Sequence, residues 1–217
     1  MKLTGESKFF LGIIFGTLTI IGLAVILLTR PTKPLPKELL IPSTAPTKGN
    51  KDAQVWLVEF SDFQCPACKV FSLAVDDLAK KYPDTLLVAY RHFPLDQHIY
   101  STITARAAQL AHDKSKFWDL SATLFENQEK IATATSQKEA REIIIQLATT
   151  LFPVSDGYAT DLVGNKGDDI VQKDRLYGNA IGINATPTFF LNGVKLEART
   201  PDELKKKVEE AIKNHEI

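Results

Sequence analysis

The chain contains two cysteines, and both lie in the short run Cys65-Pro66-Ala67-Cys68. A strand-like run ends a few residues before Cys65, and a helical pattern begins at Pro66, which places the pair at a predicted helix N-terminus. The unpaired N–H groups and partial positive charge of a helix N-terminus stabilise a thiolate on Cys65. The spacing therefore predicts a redox-active dithiol, in which one sulfur attacks a partner and the other resolves the mixed disulfide.

Two other interpretations of the cysteine pair remain open at this point. A plain disulfide across so short a loop gains little closure entropy, so a purely structural role is weakly motivated. A metal site would need histidines to complete the ligand set, and the chain has His92, His98, His112 and His215. None of them forms a close pair at helical ligand spacing, although His92 and His98 could approach the cysteines in space.

The elements that must position the dithiol follow from hydrophobic periodicity. The predicted strands lie at 54–60, 85–93, 188–191 and 194–197, and Asn192-Gly193 between the last two is a strong hairpin signal. The predicted helices lie at 66–82, 98–127, 136–151 and 168–181 and after Pro201, and Ser136 with Glu139 forms a capping box. This order predicts an α/β domain with a mixed sheet and an inserted helical region at about 98–168.

The N-terminal part of the chain has a different composition. Residues 9–28 are 20 residues without a charge, enough to span about 30 Å as a helix, so they predict a retained transmembrane anchor after a short tail at 1–8. A cleaved signal peptide and a buried helix are the alternatives. Residues 29–50 hold five of the eleven prolines, which predicts a semi-extended linker before a domain at 51–217.

Composition excludes several classes of function. The formal net charge is zero, because a balance of +4 in residues 1–50 offsets −4 in the remainder, and this does not support nucleic-acid binding. Two cysteines exclude a scaffold of several disulfides and a zinc site built from four thiolates.

Five sequence segments together resemble the DsbA-like thiol–disulfide oxidoreductases of the thioredoxin superfamily. The run from Glu59 to Cys68 is similar to the active-site entry of that family, and 90–95 is similar to its second strand. The segments 116–118 and 124–127 resemble its helical insertion, and 186–190 resembles the strand that carries a cis-proline. The resemblance covers about 50–215 and implies a thioredoxin-like fold with an inserted helical subdomain, preceded by one transmembrane helix.

The resemblance implies a role for individual residues. Cys65 would be the nucleophilic, more exposed cysteine and Cys68 the buried resolving one, while Glu59 would be a buried acid that accepts the Cys68 proton. Pro187 would be cis and would face the dithiol, and Thr186 would offer backbone hydrogen bonds to an extended substrate. Substrate contacts are also expected from Pro66, Ala67 and Phe63. Ala67 stands where the best-known DsbA pattern has a histidine, so we expect a less acidic Cys65 than in the strongest oxidants.

The resemblance also implies a cellular location and partner proteins. Disulfides persist outside the cytoplasm, so the domain is expected on the extracytoplasmic side of a bacterial membrane, acting on cysteine-containing exported proteins. A DsbB- or VKOR-type membrane protein is the expected reoxidant, and no cofactor or metal is expected beyond the Cys65–Cys68 disulfide. The alternatives are a thiol reductase or isomerase, a membrane-tethered metal-binding or metallochaperone protein that uses a histidine, and a non-catalytic interaction domain.

Overall fold

The computed structural model of the protein describes residues 5–28, 33–154, 156–164 and 166–215. They fall into two compact units, which comprise residues 1–34 and 35–217. The first four residues of the predicted tail and residues 29–32 of the predicted linker lie outside the described residues.

The first unit contains one long helix, α1 (Gly5–Leu28), which has 24 residues. In the part of the chain that the structure describes, no helix is both long enough and apolar enough to cross a membrane.

The second unit is an α/β domain whose described residues form nine helices and five strands. The strands are β1 (Thr47–Gly49), β2 (Val55–Ser61), β3 (Leu86–His92), β4 (Thr188–Leu191) and β5 (Val194–Leu196). The helices are α2 (Lys37–Leu40), α3 (Pro66–Lys81), α4 (Ser101–His112), α5 (Phe117–Glu126), α6 (Gln128–Ala132), α7 (Gln137–Thr149), α8 (Asp156–Val163), α9 (Asp168–Ala180) and α10 (Pro201–His215).

The five strands form one mixed sheet in the order β1-β3-β2-β4-β5. The central strands β2 and β3 are parallel and buried along their whole length, and the other pairings are antiparallel. The predicted hairpin joins β4 to β5, with Asn192 and Gly193 at positive φ values of 48° and 84°. The prediction of a mixed-sheet α/β fold is therefore confirmed.

Helices cover both faces of the sheet because alternate residues of β2 point in opposite directions. Val55 and Leu57 pack in one hydrophobic cluster with side chains of α3 and α10. Trp56, Val58 and Phe60 pack in a second cluster, which includes Leu40, Phe93 and Ile183. A third cluster fills the inserted helical region and extends to both cysteines. The dithiol therefore lies where the inserted helices meet the sheet.

The predicted linker at 29–50 is wrong from Leu35 onward. Leu40 is fully buried, and Arg91 of β3 donates hydrogen bonds to the carbonyl oxygens of Leu39 and Leu40. The strand β1 pairs with β3 from Thr47 to Gly49. The folded unit thus begins at Leu35 rather than near Lys51, because short elements between prolines carry no periodicity that a sequence pattern could register.

Candidate active site

The active-site loop places Cys65 at the start of α3. Cys65 has an extended conformation at the N-cap position, with φ −78° and ψ 119°, and Pro66 occupies the first turn. The buried positions Phe71, Ala74, Val75 and Leu78 recur at helical spacing and hold α3 against the sheet. Cys65 is 6% exposed and Cys68 is 0% exposed, so Cys65 is the more accessible of the two free thiols, as predicted.

The two thiols differ in acidity. The pKa of Cys65 falls from 9.0 to about 5, mainly because the Cys68 thiol donates a hydrogen bond to its sulfur. The Thr186 side chain and the backbone N–H groups of Cys68 and Ala67 lower the pKa further. Burial, followed by the hydrogen bond to Cys65 and the charge of Glu59, raises the pKa of Cys68 well above its usual value. This asymmetry suits a nucleophilic Cys65 and a resolving Cys68.

The loop before β4 lies against Cys65. The Thr186–Pro187 peptide bond is cis, as predicted, and both residues are half-buried. The Cys65 thiol donates a hydrogen bond to the Thr186 carbonyl oxygen, with 3.4 Å between sulfur and oxygen. Thr186 and Pro187 therefore line the accessible side of the dithiol.

Glu59 lies inside the protein and close to the dithiol. It is 2% exposed, so it is a buried acid and not a solvated charge at the edge of a strand. Burial raises its pKa from 4.5 to about 7, against the opposing effects of the Ser61 hydroxyl and the Lys48 charge. A carboxyl group with a pKa near neutrality can accept or release a proton at physiological pH, and its charge acts directly on Cys68.

A cavity of about 300 Å³ opens beside Glu59, between β1, α3 and α5. Its lining includes Tyr90, Trp118 and the ion pair between Lys48 and Asp76. The Lys48 ammonium also lies 4.1 Å from the centre of the Trp118 ring. Glu59 thus faces a partly polar cavity rather than a closed apolar core.

The predicted substrate contacts separate into two kinds of position. Pro66 and Ala67 are exposed next to Cys65 and available to a bound protein. The prediction for Phe63 is wrong, because its side chain is 1% exposed and its ring stacks on Tyr90 with centroids 5.2 Å apart. Phe63 faces inward because a large aromatic ring directly after a buried strand extends the core.

The two histidines nearest the loop are engaged elsewhere. His92 is fully buried and shares a 3.0 Å hydrogen bond with Gln109, and His98 lies 2.7 Å from the Asp62 carboxylate. Within the part of the chain that the structure describes, no three His, Cys, Asp or Glu side chains form a group that could hold a metal ion.

Sequence reasoning missed three residues around the dithiol. Ser61 lies two positions after Glu59 on a strand, and this alternation was the available signal that both face Cys68. Lys48 and Gln128 had no such signal, because the fold brings them to the site from distant positions in the chain. Gln128, for example, lies 63 positions from Cys65 and binds its carbonyl oxygen.

A family profile described as Thioredoxin matches residues 43–210, which is most of the chain. The chain belongs to the thioredoxin family. The oxidised BdbD of Bacillus subtilis is similar to this thioredoxin-family protein with a TM-score of 0.67 and 25% identity, covering 79% of this chain and 94% of that one. The thiol-disulfide exchange protein alpha-DsbA2 of Wolbachia pipientis has a TM-score of 0.64 and 20% identity, covering 81% and 91%, and shows the fold. These comparisons confirm the resemblance to DsbA-like oxidoreductases and support an oxidoreductase enzyme.

Curated relatives of this thioredoxin-family chain are much longer proteins. The Na(+)/H(+) antiporter NhaA 1 of Mycolicibacterium vanbaalenii is 28% identical over 180 residues, which are 76% of this chain and 26% of the antiporter. The Na(+)/H(+) antiporter NhaA of Herminiimonas arsenicoxydans is 32% identical over 157 residues, 70% of this chain and 24% of that protein. The chain therefore spans about a quarter of the length of these relatives.

Proposed function

We propose that the protein is an extracytoplasmic thiol–disulfide oxidoreductase that forms or exchanges disulfides in exported proteins through Cys65 and Cys68. The observation that carries this proposal is the position of Cys65 at the N-cap of α3, beside the buried Cys68 and against the loop with the cis Thr186–Pro187 bond. The pKa of Cys65 is lowered there and that of Cys68 is raised. An inert buried pair has no need of a stabilised thiolate on its more exposed member.

In the oxidising direction, a substrate thiolate attacks the Cys65 sulfur of the Cys65–Cys68 disulfide. The sulfur–sulfur bond breaks, its electron pair goes to Cys68, and Glu59 supplies the proton that the basic Cys68 thiolate takes up. A second substrate thiolate then attacks the substrate sulfur of the mixed disulfide. Cys65 leaves readily because its thiolate is stabilised, and the substrate has lost two electrons and two protons.

Thr186 and Pro187 are proposed to bind the substrate backbone. The Thr186 carbonyl oxygen lies against the Cys65 sulfur, and the strand β4 begins two residues later. An extended substrate segment placed along this loop brings its cysteine to Cys65, in a strand-addition mode. Pro66 and Ala67 would contact the substrate from the other side.

The proposal also covers the redox centre, its reoxidant, the membrane anchor and the direction of electron flow. The dithiol serves as the whole redox centre, without a cofactor or metal, and a DsbB- or VKOR-type membrane protein reoxidises it. Residues 9–28 are proposed to serve as a single-pass anchor that keeps the domain at the outer face of a bacterial membrane, since they are 20 residues without a charge. The reverse direction of electron flow would make the protein a reductase or isomerase.

Mixed-disulfide trapping tests the proposal. Cys68→Ser should accumulate a covalent complex with a cysteine-containing model substrate, since the variant has no resolving thiol to release it, and Cys65→Ser should form none. Both variants should lose dithiol exchange with the same substrate. Full exchange activity in both variants would contradict the proposal, and stoichiometric copper or zinc in the reduced wild-type protein would favour the metal-binding alternative.

A further inference from the structure

A buried side chain of the inserted helical region, that of Gln128, hydrogen-bonds to the backbone of the active-site loop. Gln128 is the first residue of α6 and is 8% exposed. Its amide nitrogen donates hydrogen bonds to the carbonyl oxygens of Phe63, at 2.7 Å, and Cys65, at 3.0 Å. A primary amide has two N–H donors, so both carbonyl oxygens are satisfied by one group.

The two carbonyl oxygens that Gln128 holds belong to the last residues before α3. The Cys65 carbonyl oxygen also accepts the hydrogen bond from the Lys69 N–H that closes the first turn of α3. The orientation of the Cys65 peptide group therefore decides where the helix begins relative to the Cys65 sulfur. That sulfur gains part of its stabilisation from the N–H groups of Ala67 and Cys68 in the same turn.

Gln64, the residue between these carbonyl groups, is held by other hydrogen bonds. Gln64 accepts a hydrogen bond from the Tyr100 N–H at 2.5 Å, and its own N–H donates to the Asp62 carboxylate at 2.8 Å. These bonds fix Gln64 to the start of α4 and to Asp62, whereas Gln128 reaches the peptide group of Cys65 itself.

We propose that Gln128 is a positioning residue that fixes the Cys65 peptide group, and with it the Cys65 sulfur, at the N-terminus of α3. The inference rests on the proposed function and adds that the inserted helical region tunes the reactivity of the dithiol. Gln128 touches neither substrate nor reacting sulfur and acts through the Cys65 backbone.

The test compares three variants of the full-length protein. Gln128→Met keeps the length of the side chain but removes both donors, and Gln128→Glu replaces the donors with acceptors that face two carbonyl oxygens. Gln137→Glu is the matched control, because Gln137 donates to the Ile99 carbonyl oxygen at 2.9 Å in an exposed position of the same helical region. Thermal unfolding identifies any variant that fails to fold, and the second Gln128 variant then carries the test.

The measurement is the rate at which iodoacetamide alkylates Cys65 in the reduced protein between pH 4 and pH 8. We expect both Gln128 variants to react at least about fivefold more slowly at pH 5, the factor that loss of one net hydrogen bond corresponds to, with unchanged rates at high pH. Gln137→Glu should follow the wild-type profile. A wild-type profile in a folded Gln128→Met, or a wild-type profile in Gln128→Glu where only that variant folds, would overturn the proposal.

Alkylation of Cys65 needs no client protein, so this test is independent of exchange activity. A wild-type protein that exchanges no disulfides but shows the expected alkylation profiles would contradict the proposed function and leave the positioning role of Gln128 standing. Normal exchange with unshifted profiles would do the reverse.

Discussion

At the scale of single residues, the two thiols of one short motif have opposite acidities because they have opposite surroundings. Cys65 receives hydrogen bonds from Cys68 and from backbone N–H groups, which favour its thiolate. Burial disfavours the thiolate of Cys68 and raises its pKa. The helix N-terminus predicted a stabilised thiolate on Cys65, and the resemblance to the DsbA-like family implied which cysteine attacks and which resolves. The sequence did not predict that the Thr186 carbonyl oxygen lies 3.4 Å from the Cys65 sulfur.

The thiolate of Cys65 should titrate far below an ordinary cysteine. We expect the thiolate absorbance of the reduced protein to rise with a midpoint near pH 5, and Cys65→Ser should lack this transition. The physical reason is that the hydrogen bonds around the sulfur favour its charged form. A midpoint in the ordinary range, about 8.5, would show that the helix N-terminus does not activate Cys65.

Glu59 should lower the stability of the fold at neutral and alkaline pH. Its pKa is raised from 4.5 to about 7, so the folded state binds more protons than the unfolded state between these values, and stability falls as pH rises through them. Glu59→Gln should therefore gain roughly 3 kcal/mol relative to wild type between pH 4 and pH 8.

Urea unfolding of the reduced protein at both pH values measures this change. Glu142→Gln is the control, because Glu142 is an exposed helical glutamate, and it should change stability by less than about 0.5 kcal/mol at either pH. A difference between Glu59→Gln and wild type that is independent of pH would contradict a buried, titrating Glu59.

At the scale of elements, one buried ion pair links three parts of the domain. Arg91 of β3 donates to Asp174 of α9 at 2.7 Å, and its other end binds the carbonyl oxygens at the end of α2. Asp174 also accepts the His92 N–H at 3.0 Å. The Arg91–Asp174 pair therefore holds α2, at the N-terminal end of the folded unit, against the sheet.

Removal of one partner should leave a buried charge without compensation. We expect Asp174→Asn to cost about 3 kcal/mol in urea unfolding, whereas Asp169→Asn, which removes the exposed partner of Lys173 on the same helix, should cost at most about 1 kcal/mol. Equal costs for the two variants would show that the Arg91–Asp174 pair does not hold these elements together.

The elements that the sequence predicted are those with a long hydrophobic period or a specific turn. The strand β2, the helix α3 and the hairpin at Asn192-Gly193 have such patterns, and Ser136 accepts the Glu139 N–H as the capping box requires. The elements α2, β1, α6 and α8 were not predicted as separate units, because each has eight residues or fewer and depends on tertiary contacts. Phe63 was misassigned for a related reason, since its motif position does not reveal which way its ring points.

At the scale of the whole molecule, the sequence predicted an anchor, a linker and a domain. In the structure the domain begins at Leu35, so most of the predicted linker belongs to the domain. The fold could be predicted because the order of strands and helices admits few topologies. The contacts of the inserted helices with the dithiol could not, because they depend on packing between segments far apart in the chain.

The anchor can be tested in the cell membrane. We expect the full-length protein to remain in bacterial membranes after an alkaline wash, and a chain that begins at Leu35 to be released. Ile20→Arg places a charge in the middle of the apolar stretch and should weaken retention, because a charge there costs about 2.5–3.5 kcal/mol. A full-length protein that washes off would contradict the anchor and leave the redox chemistry untouched.

The reduction potential of the Cys65–Cys68 couple tests the central claim most directly. A stabilised Cys65 thiolate favours the reduced form and so makes the disulfide oxidising. In a defined glutathione buffer we predict a value between that of thioredoxin, about −270 mV, and that of the strongest oxidant of the family, about −120 mV. A potential at or below the thioredoxin value, or a cysteine pair that does not equilibrate with glutathione, would contradict the account.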